Sequence, residues 1–125
     1  MLHTLCRGKL HRLRVTHCDL DYVGSLTLDR LLMEAVGLHP YEMVQITNLH
    51  NGDLWSTYVL PGTAGSGIVG MNGTAARHFQ KGDLIIVLVL AHVSTEELPG
   101  FVPKVVFVDE QNRVTRVQTG ITPSI

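Results

Sequence analysis

The sequence predicts a mainly β fold in which short strands close into a small barrel that carries short helices. Several short segments rich in β-branched and aromatic residues are separated by glycine, asparagine and proline turn signals. Only one stretch has the spacing of a good amphipathic helix. The chain has 125 residues, which is enough for one domain with a real core and too few for two. We therefore expect a single domain over residues 1–125.

The first half of the chain contains one predicted strand, one helix and one hairpin. Residues 9–18 alternate imperfectly between apolar and polar side chains, which indicates a strand. The helix that follows is capped by Thr27 and stopped by Gly37. Its apolar face has helical spacing and consists of Leu28, Leu31, Leu32 and Ala35. Strict alternation then predicts a half-buried strand at 44–48, followed by the hairpin turn Asn51-Gly52 and a return strand at 53–60.

The second half is predicted to hold four more strands. A glycine-rich loop spans residues 61–67. The long run at 83–93 is almost continuously apolar, so we expect this strand to be buried on both faces. The remaining elements in this half are a strand at 68–71, a helical turn at 73–80, a loop at 96–100, and strands at 105–108 and 113–118 joined by a turn at Gln111-Asn112.

Composition excludes several classes of function. The formal net charge is −1, and no basic excess indicates nucleic acid or a membrane surface as a partner. The longest apolar run, Leu84 to Ala91, is far shorter than the ~20 residues of a membrane helix. Residues 1–14 have no long apolar core and so do not resemble a signal peptide. We expect a cytoplasmic protein.

The two cysteines, Cys6 and Cys18, form neither a CxxC pair nor a disulfide framework. We expect them to be small buried side chains in a reducing compartment. The alternative is a metal site completed by His11 and His17. Because the spacing of these four residues matches no zinc motif, we predict no bound metal.

A Gly24-Ser25 pair stands near the N-terminus and by itself indicates only a turn. Its setting is more informative. The pair follows Lys9-Leu10-His11-Arg12 and Thr16-His17-Cys18-Asp19-Leu20-Asp21-Tyr22-Val23, and it precedes Asn51-Gly52, Thr57-Tyr58, Gly65-Ser66-Gly67, Asn72-Gly73-Thr74-Ala75-Ala76, Gly82-Asp83-Leu84-Ile85-Ile86 and Val105-Val106-Phe107-Val108-Asp109. With these pieces in one order and at consistent spacing, almost the whole chain resembles the pyruvoyl-dependent aspartate 1-decarboxylases.

The resemblance implies a six-stranded double-psi β-barrel that assembles as a homotetramer, with active sites between neighbouring subunits. It also implies autocatalytic cleavage between Gly24 and Ser25, which gives residues 1–24 (the β chain) and residues 25–125 (the α chain). The Ser25 hydroxyl attacks the Gly24 carbonyl, and the serine remnant becomes the covalent pyruvoyl cofactor. The substrate, L-aspartate, forms a Schiff base with that group, loses CO2 and is released as β-alanine.

The resemblance assigns roles to further residues. Tyr58 protonates the carbanion left by decarboxylation. Thr57 donates to the oxyanion during cleavage and contributes to substrate binding. Lys9 binds the carboxylate that the product retains, and His11 orders the pocket. The loop that forms the substrate and processing site comprises Asn72, Gly73, Thr74 and Ala75. Taken alone, each of these residues has an ordinary structural interpretation, such as a tyrosine packed in a strand or a solvated lysine.

Position 54 departs from the family pattern, which usually has an arginine there to bind substrate carboxylate. Here the residue is Leu54. Three alternatives follow. Another basic group, such as Arg12, Arg77 or Lys9, replaces the arginine; or the enzyme decarboxylates a related amino acid, for example β-methylaspartate; or the chain is a non-catalytic barrel that binds a ligand or partner.

Overall fold

The computed structural model describes residues 1–121 and is mainly β, with one α-helix. Its strands are β1 (Leu2–Arg14), β2 (His17–Asp19), β3 (Ser25–Asp29), β4 (Met43–Asn48), β5 (Leu54–Gly62), β6 (Val69–Asn72), β7 (Leu84–Ser94), β8 (Lys104–Val108) and β9 (Val114–Thr119). The helix α1 spans Arg30–Val36, and two short 3-10 helices span Gly73–Arg77 and Thr95–Glu97.

The strands form one sheet that curls back on itself. Their order is β2-β6-β3-β5-β4-β7-β1-β8-β9. Strands β1 and β2 are separated in the chain only by Val15 and Thr16, yet β1 pairs with β7 and β2 pairs with β6. The N–H of Val15 donates to the carbonyl of Asp83 at 2.9 Å, and the N–H of Thr16 donates to the carbonyl of Val69 at 2.8 Å. The β1–β2 segment thus links the two sides, which is compatible with the predicted six-stranded barrel. Its double-psi topology stays a prediction.

The inner faces of these strands fill one apolar core. Burying a leucine-sized side chain contributes about 2 kcal/mol, so this core is the main source of stability. Helix α1 packs against it through Leu32, Met33 and Val36. The largest fully buried side chains include Leu10, Leu13, Leu26, Leu28, Leu32, Ile46, Met71 and Ile85.

The helix begins later than the sequence predicts. Its N-cap is Asp29, whose side chain accepts from the N–H of Leu31 at 2.8 Å. The predicted cap Thr27 and the predicted helical residue Leu28 instead belong to β3, because that strand is paired on both sides by β5 and β6. Leu31, predicted on the buried face, is 48% exposed. Leu32 and Ala35 do contact the core, and Gly37 ends the helix with a φ of 81°.

Strand β7 is buried on one face, so the prediction that both faces are buried is wrong for the single chain. Ile85, Val87 and Val89 point into the core. On the outer face, Leu88 is half-buried and Leu90 is 41% exposed. The apolar residues of β7 therefore alternate between the core of the barrel and an apolar outer face.

Other element boundaries differ in smaller ways. Strand β1 starts at Leu2, and the predicted strand at 9–18 is divided where the chain passes from β7 to β6. Strand β5 continues through Pro61 and Gly62, because it pairs with β3 up to that point. The β4–β5 hairpin is confirmed, with Gly52 at a φ of 77°. The β8–β9 hairpin is also confirmed, and Asn112 occupies its turn at a φ of 60°.

The cysteines are not core residues. Cys6 is half-buried, and Cys18 is exposed because β2 lies at the edge of the sheet. Within residues 1–121, no three histidine, cysteine, aspartate or glutamate side chains are grouped so that they could hold a metal ion. Among the helices of this same part of the chain, none is long and apolar enough to cross a membrane.

Candidate active site

The Gly24–Ser25 bond lies where an exposed loop enters the barrel. Val23 is 69% exposed, whereas Ser25, the first residue of β3, has no exposed surface. The Ser25 hydroxyl donates to the carbonyl oxygen of Val23 at 3.2 Å. A buried hydroxyl is therefore held against the chain segment that contains the peptide bond predicted to break.

Asn72 is the direct partner of Ser25 across the sheet. It is the last residue of β6, which runs antiparallel to β3, and the register pairs it with Ser25. Its side-chain amide donates to the Ser25 hydroxyl oxygen at 3.1 Å and to the Thr27 hydroxyl oxygen at 2.9 Å. Because both contacts use the same amide nitrogen, Asn72 holds the serine oxygen in one place from a paired strand.

Gly73 packs directly against Gly24. A Cβ atom at position 73 would lie 2.7 Å from the Gly24 Cα and 3.0 Å from the Gly24 nitrogen. The φ of Gly73 is 68°, a left-handed conformation that disfavours other residues. This position thus needs glycine for two independent reasons. The 3-10 helix that follows leaves Thr74 exposed and buries Ala75.

The Thr57-Tyr58 pair lies beside the same bond on the opposite side of β3. Strands β5 and β3 are parallel, and Leu26 pairs with Val59. Continuing this register backwards brings Ser25 level with Tyr58 and Gly24 level with Thr57. Thr57 is 9% exposed and Tyr58 is half-buried. Strands β3, β5 and β6, with the residues next to their ends, therefore gather the six residues predicted for cleavage and proton transfer: Gly24, Ser25, Thr57, Tyr58, Asn72 and Gly73.

Lys9 and His11 are not part of this group within one chain. Both lie on β1, and strands β7 and β4 separate β1 from β5. They line a different groove of about 280 Å³, together with side chains from β8 and β9. Burial, followed by the positive charges of Lys9 and Arg12, lowers the pKa of His11. The ring of His11 contacts Phe107 edge-to-face, with centroids 5.5 Å apart. This contact with Phe107 restrains the imidazole ring, which suits an ordering role.

Comparison with known proteins adds to this geometry. A model of the aspartate decarboxylase family matches residues 1–115. The chain belongs to the aspartate decarboxylase family. Similar proteins named aspartate 1-decarboxylase occur in Carboxydothermus hydrogenoformans (45% identical; 94% of this chain and 93% of the relative covered), in Geobacillus (47%; 94% and 92%) and in Leptospira biflexa (47%; 90% and 97%).

Leu54 lies on the outer face of β5 and is 57% exposed. It is four residues from Tyr58, so the alternation of a strand places both on the same face. The candidate replacements for the missing arginine lie on other elements. Arg12 is on β1 beside His11, and Arg77 ends the 3-10 helix after β6.

Sequence reasoning missed two residues of this region. Thr27 was interpreted as a helix cap, whereas it is the second acceptor of the Asn72 amide. Arg116 on β9 lines the same groove as Lys9 and His11. The available signal was the alternation of Arg116 and Gln118 in the last strand. That pattern shows which residues share a face, but it does not show which strand lies alongside.

Proposed function

We propose that this chain is a pyruvoyl-dependent aspartate 1-decarboxylase that converts L-aspartate to β-alanine and CO2, the β-alanine serving pantothenate biosynthesis. The observation that carries the proposal is the buried Ser25 hydroxyl, which the Asn72 amide holds next to the Gly24–Ser25 bond. Family membership and the names of the relatives support the same activity.

The cleavage step uses only groups of the chain and water. The Ser25 oxygen attacks the Gly24 carbonyl carbon, the C–N bond breaks, and the hydroxyl proton moves to the freed amine, which gives an ester. Elimination then leaves a carboxylate on Gly24 and a dehydroalanine at position 25. Hydrolysis of that residue takes up water and releases ammonia. The products are residues 1–24 and residues 25–125, the latter beginning with a pyruvoyl ketone.

Three neighbours of this bond have distinct roles in that step. The Asn72 amide fixes the attacking oxygen, and Gly73 leaves room for the Gly24 backbone to approach. Extending the β3–β5 register by two residues brings Thr57 level with Gly24, and in this proposal its hydroxyl donates to the oxyanion that forms on the carbonyl. An attacking atom that is already in place lowers the entropic part of the barrier.

The residues of the chain fit a pyruvoyl group at position 25, because Ser25 is buried beside a hydrogen-bond donor and a phenol. The group supplies an electron-withdrawing carbonyl that binds the substrate amine. Tyr58, level with Ser25, holds its phenolic proton for delivery to the substrate Cα. Lys9 binds the carboxylate that remains in the product.

Because β4 and β7 lie between β5 and β1 in the sheet, we infer that Lys9 and Tyr58 meet across two chains. The proposal therefore includes a homotetramer with active sites between subunits. The outer face of β4, β5 and β7 supports this assembly, because Met43 is 61%, Leu54 57% and Leu90 41% exposed. Met43 pairs with Tyr58, so this face includes the phenol. Light scattering after size exclusion tests the assembly. The proposal also includes a cytoplasmic location, which rests on composition.

The test of the activity is a stoichiometric assay. Purified protein incubated with L-aspartate is expected to release β-alanine and CO2 in equal amounts, and Ser25→Ala protein is expected to release neither. A wild-type chain that binds aspartate without releasing either product would instead support the non-catalytic barrel.

A second candidate function rests on the exposed Leu54 beside Tyr58. An apolar side chain there suits a less polar substrate such as β-methylaspartate. If that is the substrate, kcat/KM for β-methylaspartate exceeds that for aspartate, and Leu54→Arg reverses the order because it introduces a cation against a methyl group. A wild-type preference for aspartate rejects this candidate.

A further inference from the structure

The groove that contains Lys9 has a second cation. We propose that Arg116 acts with Lys9 to bind the carboxylate that the substrate retains, and so replaces the arginine missing at position 54. The inference rests on the proposed function for the identity of the substrate. We call this surface the β1–β8–β9 groove; its lining consists of Lys9, His11, Val105, Phe107, Arg116 and Gln118, with Ile121 at its edge.

The register of three strands puts these side chains on one face. Lys9 pairs with Val105 across β1 and β8, and Phe107 pairs with Arg116 across β8 and β9. Positions two apart on a strand share a face, so the groove consists of two parallel rows. One row is Lys9, Val105 and Gln118; the other is His11, Phe107 and Arg116. Both cations therefore border one floor made by Val105 and Phe107.

The exposed Arg116 side chain lies over the Phe107 ring, an arrangement suited to carboxylate recognition. Its guanidinium carbon lies 4.2 Å from the centre of the Phe107 ring. Stacking on an aromatic face restrains the guanidinium group and leaves its N–H edge available. A carboxylate binds that edge through two parallel hydrogen bonds, which a lysine cannot provide.

The charges of the groove are not balanced by the protein. Among residues 1–121, Arg116 and Lys9 take part in no ion pair within 4.0 Å, and no aspartate or glutamate lines the groove. His11 adds an imidazole whose pKa is lowered by burial and then by the positive charges of Lys9 and Arg12. Two cations over an apolar floor suit a small acid whose methylene group contacts Phe107 and whose carboxylate faces the cations. A groove of about 280 Å³ has room for such an acid.

The kinetic test compares charge removal inside and outside the groove. In fully cleaved protein, Arg116→Gln is expected to raise KM for aspartate about tenfold, with kcat within about twofold of the wild type. Arg116→Lys keeps the positive charge but loses the planar guanidinium group, so it is expected to give an intermediate KM. Arg30→Gln is the matched control, because Arg30 lies on α1 and is 63% exposed. An unchanged KM in cleaved Arg116→Gln and Arg116→Lys overturns the proposal.

A binding measurement separates this inference from the proposed function. Succinate carries the two carboxylates of aspartate without the amine. Calorimetry of the wild type with succinate is expected to show binding that Arg116→Gln weakens about tenfold and Arg30→Gln leaves unchanged. Equal succinate affinity in all three proteins overturns the role of Arg116 even if cleavage and β-alanine formation proceed. An uncleaved, inactive wild type contradicts the proposed function, whereas the succinate result still decides the groove.

Discussion

The side-chain amide of Asn72 donates to the hydroxyl oxygen of Ser25 at 3.1 Å, and both residues are buried. The two are direct partners in the β3–β6 ladder, so their relative position is fixed by backbone hydrogen bonds as well. This contact places a nucleophile beside an otherwise ordinary peptide bond. It also yields a prediction that concerns the cleavage step and not the later chemistry.

Asn72→Ala is expected to slow cleavage about tenfold, because the serine oxygen loses the donor that fixes it and regains rotational freedom. Thr27→Val is the control, since it removes only the second acceptor of the same amide. The measurement is the conversion of freshly purified single-chain protein into two fragments over time. Equal rates in Asn72→Ala and the wild type would mean that this contact has no part in the reaction.

Gly73→Ala is expected to block cleavage, because its Cβ would lie 2.7 Å from the Gly24 Cα and displace the reacting bond. Gly52→Ala is the matched control: its φ of 77° is equally unfavourable, but no atom lies within 4 Å of the new Cβ. Both variants are expected to lose about 1 kcal/mol of unfolding free energy from the backbone alone. Normal cleavage in Gly73→Ala would contradict the close packing of the two glycines.

Tyr58→Phe is expected to cleave normally and to lose decarboxylation by a factor of ~10²–10⁴ in kcat, because it lacks the proton donor. The control is Tyr41→Phe, since Tyr41 is 74% exposed and lies outside the strands. Fragment analysis and β-alanine assays on the same samples separate the two steps. Wild-type turnover in cleaved Tyr58→Phe would make this residue an ordinary barrel tyrosine.

Asp29 ties the C-terminal end of β3 to helix α1 and to the loop between β5 and β6. Its carboxylate accepts backbone N–H groups from Leu31, Gly65 and Gly67 at 2.8–3.0 Å. Burial raises the pKa of Asp29, but these three hydrogen bonds and Arg113 outweigh it and hold the pKa below its usual value. The stabilisation is therefore complete above pH about 4 and is lost as pH falls through that value towards the lower folded-state pKa.

Asp29→Asn is accordingly expected to cost about 1–2 kcal/mol of unfolding free energy at pH 7 and less than that near pH 2. Urea titrations at both pH values measure the difference. Glu34→Gln on the exposed side of α1 serves as the control and is expected to change little. A cost for Asp29→Asn that is the same at both pH values would mean that the carboxylate charge does not contribute.

Local signals in the sequence predicted most of the fold. The alternation around Val44 and the Asn51-Gly52 turn correctly predicted the β4–β5 hairpin, because both depend only on neighbouring residues. The predicted start of α1 was wrong because it depends on strand pairing between residues that are distant in the sequence. The hydroxyl of Thr27 could cap a helix N-terminus, but pairing with β5 and β6 keeps this residue in β3. Asp29 is the N-cap of α1 instead.

In the candidate site, too, local sequence context was predictive and strand pairing was not predictable. The Gly24-Ser25 and Thr57-Tyr58 pairs were recognisable from their sequence context, and the structure brings them side by side. The sequence could not predict that Lys9 and Tyr58 lie on strands that do not pair, because this depends on which strands separate β1 from β5. Arg116 was missed because its partner across the sheet, Phe107, is specified only by strand pairing.

The central claim is that Ser25 generates the catalytic group by breaking its own peptide bond, and the intact mass of the protein under denaturing conditions tests it most directly. For the wild type we predict two species, residues 1–24 and residues 25–125, the larger one lighter by one ammonia than simple hydrolysis would leave it. For Ser25→Ala we predict one uncleaved chain. A wild-type preparation that releases β-alanine while it remains a single intact chain, or a Ser25→Ala protein that is uncleaved and fully active, would contradict the account.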